Sequence, residues 1–168
     1  MTITQALKKL KLLEKKMESN VQDIQKYSSI LDSEIPYFGT VEEQKAAVQS
    51  LVQSNKDLFA EYLKTKSDIE LTNNKTIVST SMWNYSISWL ILIKRGLWER
   101  LGRTYMAMND SVAERKPKSN NTVTWVQTQV VRLYDEKQKN ESISKLNDFM
   151  SEIDWLLEVV NATTETIE

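Results

Sequence analysis

"MTITQALKKLKLLEKKMESNVQDIQKY", residues 1–27, carries the fold class of this chain. Read in sevens, its inward positions fall in two rows: Ile3, Leu10, Met17 and Ile24 in one, Ala6, Leu13, Asn20 and Tyr27 in the other. A period near 3.5 residues is the seam of an α-helix packed on a partner helix. Thr2, with Gln5 three residues later, matches a capping box and places the helix start. Asn20 is the one polar interruption, and a lone Asn in such a seam fixes register or oligomeric state.

Beyond the seam, "SSILDSEIPYFGT" holds Pro36 and Gly39, which break the helix, and Thr40 with Glu43 opens the next one. A second helix follows from Val41 to Leu71. Val48, Leu51, Leu58, Tyr62 and Ile69 keep the same spacing, and Asn55 interrupts again. Residues 1–71 thus read as an αα-hairpin about 45 Å long at 1.5 Å per residue. "TNNKT", residues 72–76, ends the second helix, and Ser79 to Ser81 offer an N-cap for a third over 79–109. Residues 110–122 are polar and basic with Pro117, a loop. Residues 123–161 read as one long helix with a polar waist, "DEKQKNES". Ile143, Leu146, Met150, Ile153, Leu157 and Val160 line its apolar face, and a break near Ser142 is the alternative.

Composition agrees with this all-α, elongated helical bundle in a single domain. Three Gly and two Pro allow few tight turns in 168 residues, so the helices must be long. Seams of this length outrun a common core, and self-association is the usual way to cover them. With no Cys and no His, disulfides, zinc sites, thiol catalysis and Ser-His-Asp triads are excluded. Phosphate-binding glycine loops are absent too, and carboxylate pairs such as Glu42–Glu43 and Asp154 with Glu158 read as solvated faces. The expectation is a protein that is not an enzyme and needs no cofactor or metal. The 22 basic and 23 acidic residues nearly cancel, which argues against nucleic acid as a partner. The opening residues lack the uninterrupted apolar core of a signal peptide, so a cytoplasmic setting is expected.

One segment departs from a plain bundle: "WNYSISWLILIKRGLWERLGRTY", residues 83–105. Its longest apolar run, "WLILI", is far short of the roughly 20 residues of a membrane span. On a helix, Trp83, Ile87, Leu90, Leu97 and Leu101 form one stripe, with Ile91, Trp98 and Tyr105 beside it. That predicts a largely buried helix, inside the bundle or against another subunit. Gly96 and Gly102 hint at a kink or a close backbone approach. From Lys94 to Lys118, seven basic residues stand against three acidic ones. Arg offers a planar fork suited to phosphate or carboxylate, and aromatic rings beside it can stack a base. The candidate ligand-binding residues are therefore Trp89, Lys94, Arg95, Trp98, Arg100, Arg103, Tyr105, Arg115 and Lys116. Lys94, in the Ile87–Leu101 row, is the strongest single candidate for a buried or interfacial anion contact; core packing and salt bridges are the competing roles.

"SEIDWLLEVVNATTE", residues 151–165, resembles the C-terminal end of the septicolysin-like family of small helical bacterial and phage proteins. Asp154, Asn161, Thr163 and Thr164 fall in matching places, with Ala162 where that family has Trp. "IELTNNKT" (69–76) and "IKRGLWERL" are similar to two further family segments, with Gly96 where an acid is expected. The resemblance implies an α-helical oligomer and says little about activity. The sequence thus leads to a non-enzymatic, homo-oligomeric helical binding protein, of a kind a phage encodes for counter-defence, sequestering a small anionic, nucleotide-like ligand. The alternative is a structural or adaptor protein whose heptad seams mediate self-assembly or hold a protein partner.

Overall fold

The computed structural model describes residues 1–115 and 130–167. The fold is all-α apart from one two-stranded sheet among the described residues. The chain divides into two compact units, Met1–Ile77 with Glu158–Glu168, and Val78–Leu157.

The first unit is built on the expected hairpin. Helix α1 spans Ile3–Tyr27 and α2 spans Val41–Lys75, and both begin with a complete capping box, Thr2 with Gln5 and Thr40 with Glu43. Gly39, at φ 101°, makes the turn into α2, and a Cβ there would lie 2.9 Å from the Glu43 carboxylate that caps the helix. Ile3, Ala6, Leu10 and Leu13 are buried from α1, and Gln44, Thr65, Ile69 and Thr72 from α2. The two Asn residues that interrupt the seams meet each other. Asn20 Nδ2 donates to Asn55 Oδ1 at 2.9 Å, and Asn55 Nδ2 donates to the Met17 carbonyl at 3.3 Å. Their pairing satisfies both amides at one level and fixes the hairpin register within the chain.

Helix α2 runs past Leu71, its expected end, to Lys75. The reason is Thr72, which is fully buried: its Oγ1 donates to the Asp68 carbonyl at 2.6 Å and accepts from the Ile167 amide at 2.8 Å. A turn-forming residue has become a core helical one because a second segment satisfies it. The same C-terminal segment pairs with the N-terminus, with Ile3 N donating to Thr164 O at 3.0 Å and Thr166 N to Met1 O at 2.8 Å. Thr4 Oγ1 donates to Asn161 O at 2.9 Å alongside them.

The second unit departs more from expectation. Residues 79–109 are not one helix. Strands β1 (Ile77–Ser79) and β2 (Asn84–Ser86) form a hairpin whose turn is held by Thr80. The Thr80 Oγ1 accepts from the amides of Met82 and Trp83, and Thr80 N donates to Trp83 O at 3.0 Å. Ser86, and not the Ser79–Ser81 group, caps the helix that follows by accepting from Trp89 N. That helix, α3, spans Ile87–Leu92; a wide π-type turn over Ile93–Leu97 contains Gly96 at φ 155°, and α4 resumes over Trp98–Met106. An extra residue in a helical turn rotates everything after it. The stripe therefore does not stay in line: Ile87 and Leu90 are fully buried, while Leu97 and Leu101 are nearly half exposed. Trp83, in the hairpin turn, is 71% exposed as well, so within the chain burial of this stripe is confined to Ile87 and Leu90. Gly96 is the kink; Gly102 is helical, with open space where a Cβ would stand.

A short helix α5 (Ser111–Glu114) follows, and the last helix, α6, spans Glu136–Thr163 rather than starting at Val123. Residues 123–129 lie outside the described ones, and 130–135 are not helical. Asp135 sets the start, its carboxylate accepting from the amides of Lys137 and Gln138 at 2.8 and 3.1 Å. The expected polar waist is therefore the first turns of the helix. No break occurs near Ser142, whose hydroxyl donates to the Gln138 carbonyl. Phe149, Ile153 and Leu157 are the buried face of α6.

Candidate functional site

The candidate site lies in the second unit, where α4 faces the first half of α6. Trp98 is half-buried with its ring centroid 6.2 Å from that of Phe149, which also meets Tyr85 at 6.5 Å. These tilted ring contacts set the spacing between the two helices. Further along, a cleft of about 350 Å³ opens. Its α4 wall is Trp98, Glu99, Gly102, Arg103 and Met106, and its α6 wall is Ile143, Leu146 and Asn147. Gly102 widens the cleft by lacking a side chain. The size is at the low end for small-molecule sites, and the lining is mainly apolar.

The cleft brings together only two of the residues expected to bind a ligand, Trp98 and Arg103. Arg103 Nη2 already meets Glu99 Oε2 at 3.3 Å, one turn back along α4. Lys94 is not a buried anion contact: it is exposed, and its Nζ sits 2.6 Å from Asp154 Oδ1 on α6. Trp89 is 54% exposed on α3 and Tyr105 is half-buried on α4; neither lines the cleft. Arg95, Arg100 and Arg115 are exposed and form no salt bridge among the described residues. Lys116 lies outside the described residues. The described basic residues of the window are thus spread from the π-type turn to the end of α5, and two of the charges are paired with carboxylates of the same unit.

Sequence reasoning missed a second polar assembly. Asp110 Oδ2 accepts from Arg132 Nε at 2.7 Å, and its Oδ1 accepts from the Tyr134 hydroxyl at 3.0 Å. Arg132 also bonds Glu136, and Lys139 Nζ donates to the Met108 carbonyl at 2.6 Å while lying 5.4 Å over the Tyr134 ring. The Arg132 hydrogen bond holds the Asp110 carboxyl below its usual range, and burial with the Asp110 contact raises Tyr134. This knot ties the α4–α5 turn to the start of α6. Asp110 is 22 and 24 residues from Arg132 and Tyr134, and Met108 is 31 from Lys139, so only the fold joins them.

Among the described residues no group of His, Cys, Asp or Glu could hold a metal ion, and no helix is long and apolar enough to cross a membrane. No protein-family model, curated protein or solved structure matches the chain. The likeness to the septicolysin-like family stands on the quoted residues alone.

Proposed function

We propose that this protein is a non-catalytic helical assembly protein, working by burying apolar helix faces against further copies of itself. One observation carries the reading: apolar side chains at helical spacing stand on the outside of both units. Val52, Phe59 and Leu63 on α2 are 39%, 54% and 51% exposed, and Leu97 and Leu101, just past the Gly96 kink, are 44% and 48% exposed. Single exposed apolar residues need no explanation, but aligned rows of them mark contact surfaces. Sedimentation velocity over a concentration series tests it. The expected result is a sedimentation coefficient that rises with concentration to that of a defined oligomer; a monomer throughout overturns the reading.

A second reading, capture of a small anionic ligand, is favoured by the cleft that sets Trp98 beside Arg103. An aromatic face and a guanidinium suit a planar group carrying a negative charge. Isothermal titration against a panel of nucleotides, with Arg103→Ala as control, tests it. Saturable heat lost in the variant supports it, and a silent panel removes it.

A further inference from the structure

The two flanks of the α1–α2 seam differ in chemistry. On one, Lys9 Nζ meets Glu61 Oε1 at 2.6 Å and Asn20 Nδ2 donates to Ser54 Oγ, so polar groups close the hairpin on itself. On the other flank Glu14 accepts from the Tyr62 hydroxyl at 3.0 Å, but the residues that follow a seam position turn apolar at Leu7 and Val21 on α1 and at Val52 and Phe59 on α2. All four are exposed. A two-helix seam needs only its two inner rows apolar, with charged flanks; a third apolar row belongs to a helix that faces further helices in a bundle.

Along α2 this outer row is Lys45, Gln49, Val52, Lys56, Phe59, Leu63, Lys66 and Glu70, alternating steps of four and three, and every member is exposed. We propose that this row docks on the same row of a second copy of the chain, with the two α2 helices antiparallel. The proposal rests on the assembly reading above and names its surface. What selects a second copy is that the row is complementary to its own reverse. Turned end for end, Lys45 meets Glu70, Gln49 meets Lys66, Val52 meets Leu63, and Lys56 meets Phe59. Opposite charges fall at the ends, apolar side chains fall near the centre, and a Lys stands against an aromatic face. A two-fold interface demands this self-complementarity, because each residue pair occurs twice. With the charged ends in place, the docked row buries the apolar flank that the hairpin leaves open.

The test uses the full chain in sedimentation equilibrium. Phe59→Glu, at an exposed position that the fold does not need, is expected to abolish the dimer while leaving the circular dichroism spectrum unchanged. Lys45→Glu or Glu70→Lys alone places like charges opposite each other at both ends and weakens dimerisation by about tenfold; the double reversal restores it. Since the chain has no Cys, a single Lys56→Cys provides a probe. A short bis-maleimide, which adds one thiol at each end, joins that variant into dimers, and fails with Gln53→Cys. A wild-type chain that stays monomeric overturns both the assembly reading and this surface. A wild-type oligomer indifferent to Phe59→Glu, with no Lys56→Cys crosslink, overturns this surface alone and leaves assembly to another face. An α2 row that binds only an unrelated helix, leaving the chain itself monomeric, also overturns it.

Discussion

Replacing the Asn20–Asn55 pair tests whether the hairpin register is fixed within the chain. Asn55→Leu removes the 2.9 Å bond and the 3.3 Å bond to the Met17 carbonyl, and leaves the Asn20 amide with Ser54 Oγ at 3.2 Å as its remaining partner. The hydrogen-bond loss is about 2 kcal/mol, two bonds at about 1 kcal/mol each. Asn20→Leu strands Asn55 Oδ1 in a half-buried seam and costs about 1–2 kcal/mol, since an unmade bond is dearer than a replaced one. A half-buried Leu contributes about 1 kcal/mol by apolar burial, once in each single variant and twice in Asn20→Leu/Asn55→Leu, where both amides are gone. The double variant should therefore lie within about 1 kcal/mol of wild type, with a coupling energy of about 1–2 kcal/mol. Urea denaturation followed by circular dichroism, at one protein concentration for all four chains, measures the cycle. For a chain of this size each kcal/mol moves the melting temperature by about 2–4 °C. Single effects that simply add, giving a double variant less stable than either, would refute the claim that the two residues act as one unit. If the pair sets register, the double variant also loses specificity, and its melting transition broadens.

The other predictions concern single positions. Gly96→Ala, at φ 155°, should cost about 1–3 kcal/mol in a thermal melt, although the site is open. Gly102→Ala, in helical backbone with nothing near its Cβ, should stabilise by about 0.5–1 kcal/mol, so two Gly residues in one segment respond with opposite sign. Ile153→Ala removes a fully buried side chain of α6 and should cost about 2–5 kcal/mol, whereas Leu133→Ala at 95% exposure should change stability by less than about 0.5 kcal/mol. Asp110 has a lowered folded-state pKa, so its ionised form adds stability above the ordinary carboxylate range and loses it as pH falls through the depressed value. Stability curves of wild type and Asp110→Asn should therefore separate at neutral pH and converge in acid; parallel curves would contradict the role of Arg132.

The candidate site was legible only in part. Trp98 and Arg103 were named from residue type and do share a cleft, but its opposite wall, Ile143, Leu146 and Asn147, lies about 40 residues on and was read only as a helix face. Lys94 looked like a buried cation because an unbroken helix was assumed; the π-type turn at Gly96 turns the chain, and Asp154 takes the charge. Arg132, the one Arg outside the basic window, carried no local signal, yet it anchors the polar knot with Asp110.

The sequence by itself determined the all-α class, the hairpin, both capping boxes and the seam rows, because these depend on contacts three to seven residues apart or on one repeated period. Those signals are local, and local geometry enforces them. Tertiary structure alone decided the rest. It made Thr72 a core residue through Ile167, 95 positions away, and so extended α2 beyond its turn signal. It turned Thr80–Trp83 into a hairpin where side-chain periodicity suggested helix, because the Thr80 hydroxyl satisfies two amides at once. It also left one flank of the α1–α2 seam apolar and uncovered, and which rows stay open depends on what the rest of the chain folds against.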